Sequence, residues 1–562
     1  MDPTRRASFG LGAALLVLGG CTGSSGGSNP GMPATMPGMP GMPSQPAGDP
    51  PTTQPPPACL APAAPFVRRL TRWEYTNTVA DVLGVHLDDG TLALLPDDLR
   101  ANGFSNDSSG QSALSDIGAR YAKVADATAL ALAQAPNWLA AFATCNATAA
   151  ACRDSVVRGL GLRLFRRPLT TEESASFAAV FDAIVALGIP TAPEVAGHLV
   201  RALLQWPQFL YRLEGQTSGG GNAGTRSLDG WEVASRLSYL IWGSAPDPTL
   251  LDAAAKGDLS DPDKLRAQVT RMLAQPRARE NIQRYFQEWF TLDDLDHVVF
   301  GPLLPTTLAS SMKKETLGVV ADQLWDAKMP LLPTMLTTRS TIFVDLPLSQ
   351  LYGLGAPDAD GRISLAGISN RVGLLTHAGV LAVDGGPTGS VVQRGLFVFR
   401  NILCQATGPS PPDTTSLLFA HTPSQRQESE ARLQHPDCAT CHGQFDPLGY
   451  GFEAFDPSGA FRTASADGVL FRQDGFIPQT TGAPVPYADL LQYMDRLAHD
   501  PRVSACVTRK VAQFAFGRAM TDGDQCMLAD IQARLDASQG RTFADLVAAV
   551  AADPNLRFAA VK

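Results

Sequence analysis

Beyond its first twenty residues the chain has no run of about 18 apolar residues, the length a membrane-spanning helix requires, so no later stretch is expected to cross a bilayer. It lacks a basic stripe as well. The formal charge is −9 over 562 residues, which argues against nucleic acid as a partner. No Ser-His-Asp set, zinc-protease helix or nucleotide loop can be located, and the glycine-rich stretch 215–225 lacks the strand–loop–helix context of a phosphate-binding loop. That stretch reads as a linker, and hydrolase and nucleotide chemistry are set aside. Histidine and cysteine are scarce, at eight and nine residues, so the place where they gather is informative.

They gather at 435–442, His-Pro-Asp-Cys-Ala-Thr-Cys-His. Cys438, Cys441 and His442 form C-x-x-C-H, the attachment signature of a c-type haem. Two thiols so spaced can add to the two vinyl groups of one porphyrin, and the histidine that follows can ligate the iron as proximal ligand. At these residue frequencies chance supplies about 0.002 such runs in a chain of this length. Three plainer readings compete. A zinc site of His435, Cys438, Cys441 and His442 is strained by the adjacency of Cys441 and His442. A redox-active Cys438–Cys441 disulfide needs no histidine. A structural motif needs no cofactor at all. Downstream, Asp446, Glu453 and Asp456 fit no calcium loop and read as solvated turn acids, with Asp446-Pro447 and Asp456-Pro457-Ser458-Gly459 as turn signals. Tyr450, Phe452, Phe455 and Phe461 suit a macrocycle or an ordinary core.

Residues 1–21 place Arg5 and Arg6 before an apolar and glycine run too short to span a bilayer, ending Leu18-Gly19-Gly20-Cys21. This resembles a lipoprotein signal peptide with Cys21 as the acylated residue; an ordinary signal peptide with an incidental cysteine is the other reading. Thr22, rather than Asp, after Cys21 favours the outer membrane. Loss of residues 1–20 removes Asp2, Arg5 and Arg6 and leaves a formal charge of −10. Residues 22–58, rich in Pro, Gly and Met, read as a disordered tether that favours extended polyproline II. Met32, Met36, Met39 and Met42 are soft enough for copper(I), but a passive spacer is the simpler reading. Export agrees with haem, because bacteria attach haem c outside the cytoplasm, where disulfides also persist. With Cys21, Cys438 and Cys441 set aside, an even six cysteines remain. Cys145–Cys152 and Cys506–Cys526 close short loops, which leaves Cys59–Cys404; buried free thiols are the other reading.

The rest reads as mainly α: several consecutive small helical domains with minor β and a C-terminal cytochrome c-like helical region. The expected segments are 59–144, 145–214, 226–353, 370–463 and 478–560. Capping boxes predict helix starts at Thr71/Glu74 and Thr170/Glu173, both shortly after an Arg-Arg pair, and Asp229 with Glu232 caps another. Gly84 is a natural stop. The chain breaks before Pro207, and Pro262 opens a helix. Ile282, Tyr285, Phe286, Trp289 and Phe290 repeat at i, i+3, i+4, i+7, i+8, a core-facing aromatic stripe rather than a cofactor box. A helix is expected to begin at Arg394-Gly395.

RRLTRWEYTNTVADVLG, RLFRRPLTTEE, LLQWPQFLYRLE, ASRLSYLIWGSAPDPTLL and RMLAQPRARENIQRYFQEWF, then RVGLLTHAGVLAV, QRGLFVFRNILC, CATCHGQFDPLGYGFEAFDPSGAFR and VTRKVAQFAFGRAMTDGD, resemble a known group. It is the planctomycete-type and myxobacterial exported proteins built from consecutive domains of unknown function, one of them cytochrome c-like. The resemblance spans 67–556. It implies a haem-binding domain but no established activity. The chain departs from the pattern at Trp206, where a small residue is expected before Pro207, and at His435, which lies closer to Cys438 than the group's usual histidine.

The sixth ligand decides the chemistry, since His/Met ligation favours electron transfer and an open distal side permits peroxide or oxygen chemistry. Candidates are Met494, His499, Met520 and Met527 downstream, and His377, His421 and His435 upstream. Met520 ranks first because it follows a motif of the group, although packing explains each methionine more cheaply. Arg518 is a candidate for a haem propionate, or for a surface or capping role. The reading is an exported, lipid-anchored protein with one covalent haem c that passes electrons to or from a redox partner. A haem peroxidase or oxygenase is the second reading, and a haem-free, disulfide-braced surface binding protein the third.

Overall fold

The structure, a computed structural model, describes residues 59–60, 67–111, 116–135, 137–143, 149–189, 191–214, 225–298, 307–339, 342–386, 389–408, 422 and 424–560. The leader, the tether, Cys21, Cys145 and His421 lie outside the described residues. The fold is mainly helical with short antiparallel strands.

The first part packs α1 (Arg72–Leu83), α2 (Ile117–Ala133), α3 (Ala149–Phe165), α4 (Thr171–Ala186) and α5 (Ala192–Leu203) around one apolar cluster. Tyr75, Val79 and Leu83 face it from α1, and Phe177 and Phe181 from α4. β1 (Val67–Arg69) pairs with β2 (Tyr211–Leu213), Val67 opposite Leu213, so the segment closes on itself. α5 ends before Trp206-Pro207, as expected. The exposed Trp206 indole rests edge-on against Phe177.

The second part begins at β3 (Thr225–Ser227). It contains α6 (Gly230–Trp242), α7 (Pro262–Leu273), α8 (Pro276–Trp289), α9 (Leu308–Val319), α10 (Val391–Phe397), α11 (Gln425–Leu433) and α12 (Pro436–Gly449). It ends with α13 (Leu490–Ala498), α14 (Pro501–Phe516), α15 (Gln525–Ala537), α16 (Phe543–Ala551) and β4 (Phe558–Ala560), which returns to pair with β3. One apolar cluster runs through all of it. The α8 stripe lies at its centre, with Ile282, Tyr285, Phe286, Trp289 and Phe290 each at most 3% exposed. Trp289 donates its indole N–H to the Asn401 carbonyl at 3.1 Å. The helix expected at Arg394 starts earlier, because Ser390 caps it.

One helix-start device recurs four times, twice more than the Arg-Arg pairs suggest. Thr71 and Glu74 form the capping box, and Arg68, six residues before Glu74, grips both carboxylate oxygens at 2.7 Å. Arg167 does the same to Glu173 beside Thr170, at 2.8 Å twice. Arg226 does it to Glu232 beside Asp229, at 2.9 and 2.8 Å. Arg518 does it to Asp524 beside Thr521, at 2.8 and 2.7 Å, ahead of α15. The shared pattern is R-x-[LM]-[TD]-x-x-[ED]. The acid at the third helical position satisfies a backbone N–H at the cap, and the arginine six residues upstream neutralises that acid where it is partly or wholly buried.

The disulfides correct the expected pairing. Cys506 joins Cys404, and Cys526 joins Cys59. Neither Cys506–Cys526 nor Cys59–Cys404 forms. The reason is orientation: Cys506 faces the core from α14 at 1% exposure, whereas Cys526 faces outward from the first turn of α15. Short sequence separation does not bring opposite faces together. Cys152 is disulfide-bonded.

Candidate functional site

The Cys438–His442 stretch occupies the first turns of α12. Pro436 stands at the first helical position, where its missing N–H costs nothing. α10 lies tight against α12. A Cβ at Gly395 would collide with the Phe445 carbonyl, and one at Gly449 with the Val391 carbonyl. Glycine at these two crossings lets the backbones meet and fixes the height of α12 against the core.

Cys438 and Cys441, three residues apart on one helix, stand one above the other. Cys438 is buried, Cys441 half-buried, and both thiols are free. The Cys438–Cys441 bridge of the redox-disulfide reading is therefore absent from this structure. Among the described residues no set of three or more His, Cys, Asp or Glu side chains converges as metal donors, so the zinc arrangement is not assembled.

His442 follows on the same helix, its ring 4.9 Å from that of Phe445. Its Nδ1 lies 3.0 Å from Asp446 Oδ1, one turn on. Asp446 is fully buried, and its other oxygen accepts from Ser429 Oγ at 2.7 Å and from the Arg432 guanidinium at 2.9 Å, both from α11. Ser429 Oγ is also 3.0 Å from the Tyr450 hydroxyl. The single Ser429 hydrogen goes to the carboxylate, so Tyr450 donates to Ser429. Burial is the main cause that raises the Tyr450 phenol above its ordinary range.

Two sequence expectations fail here. Asp446-Pro447 is not a turn: both residues lie inside α12. Asp446 and Glu453 are not solvated either. Glu453, 3% exposed, accepts from Ser424 Oγ at 2.5 Å and from the Arg426 backbone N–H at 3.0 Å. Buried carboxylates survive because donors surround them. Asp456 does make the expected turn, accepting from the N–H groups of Ser458 and Ala460. The segment after α12 is pinned by the buried Arg394, which donates to the carbonyls of Leu381, Phe452, Phe455 and Asp456.

The distal-ligand candidates are placed as follows. Met494 and Met527 are fully buried in the core. His499 is on the surface, within 2.8 Å of the Asp495 carbonyl. His377 is buried against Thr316 Oγ1 at 3.1 Å, and burial pushes its imidazole down to about 3. His435 caps α12. Met520 is buried within the fourth helix-start device, at the position held by Leu70, Leu169 and Leu228 in the other three. Arg518 grips Asp524, the capping role that was the plainer of its two readings.

A second buried polar cluster escaped the sequence reading. Tyr352 Oη lies 2.8 and 2.7 Å from the two oxygens of Glu315 and accepts from the Ala378 N–H. The Arg371 guanidinium stacks 3.8 Å from the centre of the Tyr352 ring. Burial drives the Glu315 carboxyl up to about 8, against the Tyr352 hydrogen bond and the Arg371 charge.

The donor set on α12 suits a c-type haem. Two unbridged thiols share one helix, and the adjoining imidazole has Nδ1 engaged, while no described residue hydrogen-bonds its Nε2. Cys438 and Cys441 would hold the porphyrin by thioethers and His442 would ligate the iron.

This is a multidomain helical protein with a C-x-x-C-H helix in its second half. Five family models match it in succession, each described as a protein of unknown function: DUF1587 over 68–134, DUF1595 over 152–214, DUF1592 over 228–354, DUF1588 over 371–465 and DUF1585 over 486–555. The chain belongs to the planctomycete-type family built from this string of domains, and the model that spans the C-x-x-C-H helix has the cytochrome-like label PSCyt3. Neither a curated protein nor a solved structure matches it significantly. No helix among the described residues is long and apolar enough to cross a membrane.

Proposed function

We propose that the protein is an exported lipoprotein, acylated at Cys21, that carries one covalent haem c on Cys438 and Cys441 with His442 as proximal ligand. It passes electrons outside the cytoplasm to or from a partner protein. The observation that carries this reading is the C-x-x-C-H run beside a buried polar network, with both thiols free and His442 oriented through Nδ1 alone. Paired cysteines elsewhere suit an oxidising compartment. The lipid anchor and outer-membrane location rest on residues 1–22.

The optical spectrum of the purified protein tests the carrier role. A low-spin spectrum in both oxidation states, unmoved by carbon monoxide or peroxide, is expected. A high-spin spectrum that responds to either ligand favours the peroxidase or oxygenase reading, and no Soret band leaves the surface binding protein.

A further inference from the structure

Asp446 has no exposed surface, yet it lies on the same helix as a half-exposed histidine one turn away. A carboxylate is expensive to bury, and charge neutralisation alone needs only Arg432. The remaining oxygen is committed to His442. A carboxylate accepts and does not donate, so Nδ1 of His442 carries the hydrogen and the unprotonated lone pair falls on Nε2. That tautomer is the one a metal ligand requires. A carboxylate partner also makes an imidazole a stronger donor to a metal than a carbonyl or water partner does.

We infer that Asp446 is the positioning residue of His442: it fixes the ring's tautomer and direction and, through the ring, stabilises the ferric haem, which lowers the reduction potential. This rests on the haem reading above. The strength of the effect is set by the other two acceptor contacts. Arg432 and Ser429 draw on the same carboxylate, and the Tyr450 hydroxyl reaches it through Ser429. The chain Tyr450–Ser429–Asp446–His442 therefore forms a graded series of hydrogen bonds that ends at the iron ligand. Removing a donor from the far side of Asp446 leaves more negative charge for His442.

The test is potentiometric titration of the full-length haem protein, its covalent haem content measured first. In Asp446→Asn the ferric/ferrous equilibrium should move toward ferrous by at least tenfold, about 59 mV upward for a one-electron couple. Asp446→Glu should return part of that shift. Ser429→Ala keeps the carboxylate and should move the equilibrium the other way, by roughly threefold. If Asp446→Asn does not fold, Ser429→Ala decides. A haem-loaded wild type whose potential both variants leave in place overturns the role of Asp446 alone. A wild type without covalent haem overturns this role and the haem reading together.

Discussion

Arg518 and Asp524, six positions apart, hold each other through both terminal guanidinium nitrogens, and Met520 lies between them with its side chain in the core. The same spacing puts Leu70 between Arg68 and Glu74, Leu169 between Arg167 and Glu173, and Leu228 between Arg226 and Glu232. Met520 is thus the apolar residue of a helix-start device. Leucine should replace it at a cost below about 1.5 kcal/mol, since the swap conserves volume. The spectrum and potential of haem-loaded Met520→Leu should equal those of the wild type. Loss of a methionine-ligand signature in that variant would make Met520 the distal ligand and contradict this reading.

The four ion pairs should not be equal. Arg68 and Glu74 have side chains 1% and 5% exposed, against 19% and 11% for Arg167 and Glu173. Burial raises the Glu74 carboxyl, but the Arg68 charge and hydrogen bonds outweigh it and hold the group below its ordinary range. Glu74→Gln leaves a buried guanidinium half-answered and should cost about 3–5 kcal/mol. Glu173→Gln should cost about 1–2 kcal/mol, mostly as a weakened cap. Chemical denaturation of the two variants measures the difference, and equal losses would contradict this ranking.

Glu315 makes stability depend on pH in a direction opposite to that of a salt-bridged acid. Its folded value of about 8 stands above the ordinary 4.5, so between those values the folded state keeps a proton that the unfolded state has lost. Stability therefore falls as pH rises through this window, by up to about 1.4 kcal/mol per pH unit. Denaturation of Glu315→Gln at about pH 5 and about pH 8 should show the flatter profile, the wild type losing more between the two. A wild-type profile no steeper than the variant's would contradict the assignment.

The Cys404–Cys506 disulfide spans 102 residues and ties the segment after α10 to α14. Cys59–Cys526 spans 467 and fastens the start of the described chain to α15. Closure of a loop of about 100 residues stabilises by roughly 4–5 kcal/mol in the chain-entropy account. Cys404→Ala/Cys506→Ala should lower stability by about 2–5 kcal/mol. Mass spectrometry of unreduced peptides should recover the 404–506 and 59–526 links, whereas a 506–526 link would contradict the structure.

Much of the local fold was legible because capping boxes, proline at a first helical position and the aromatic period of α8 are short-range signals. The family was legible from its motifs, as was the C-x-x-C-H run. The disulfide pairs were not, because pairing depends on which helix face each cysteine occupies, and Cys506 and Cys526 occupy opposite ones. The burial of Asp446 was hidden for a related reason. Asp-Pro is a turn signal in isolation, and only the donors from α11 make a buried helical carboxylate tenable. The i, i+4 spacing of His442 and Asp446 was the available clue, with Ser429 and Arg432 one turn apart on the preceding helix.

The most direct test of the central claim is covalent haem on α12. The protein, produced without its lipid anchor in a periplasm with active haem-ligation machinery, would be denatured, resolved on a gel and stained for haem peroxidase activity beside Cys438→Ala/Cys441→Ala. The pyridine haemochrome spectrum would count haem per chain. The account predicts a stained band in the wild type, no stain in the variant, and one thioether-linked haem per chain. A folded wild type with no stain and no haemochrome would contradict it.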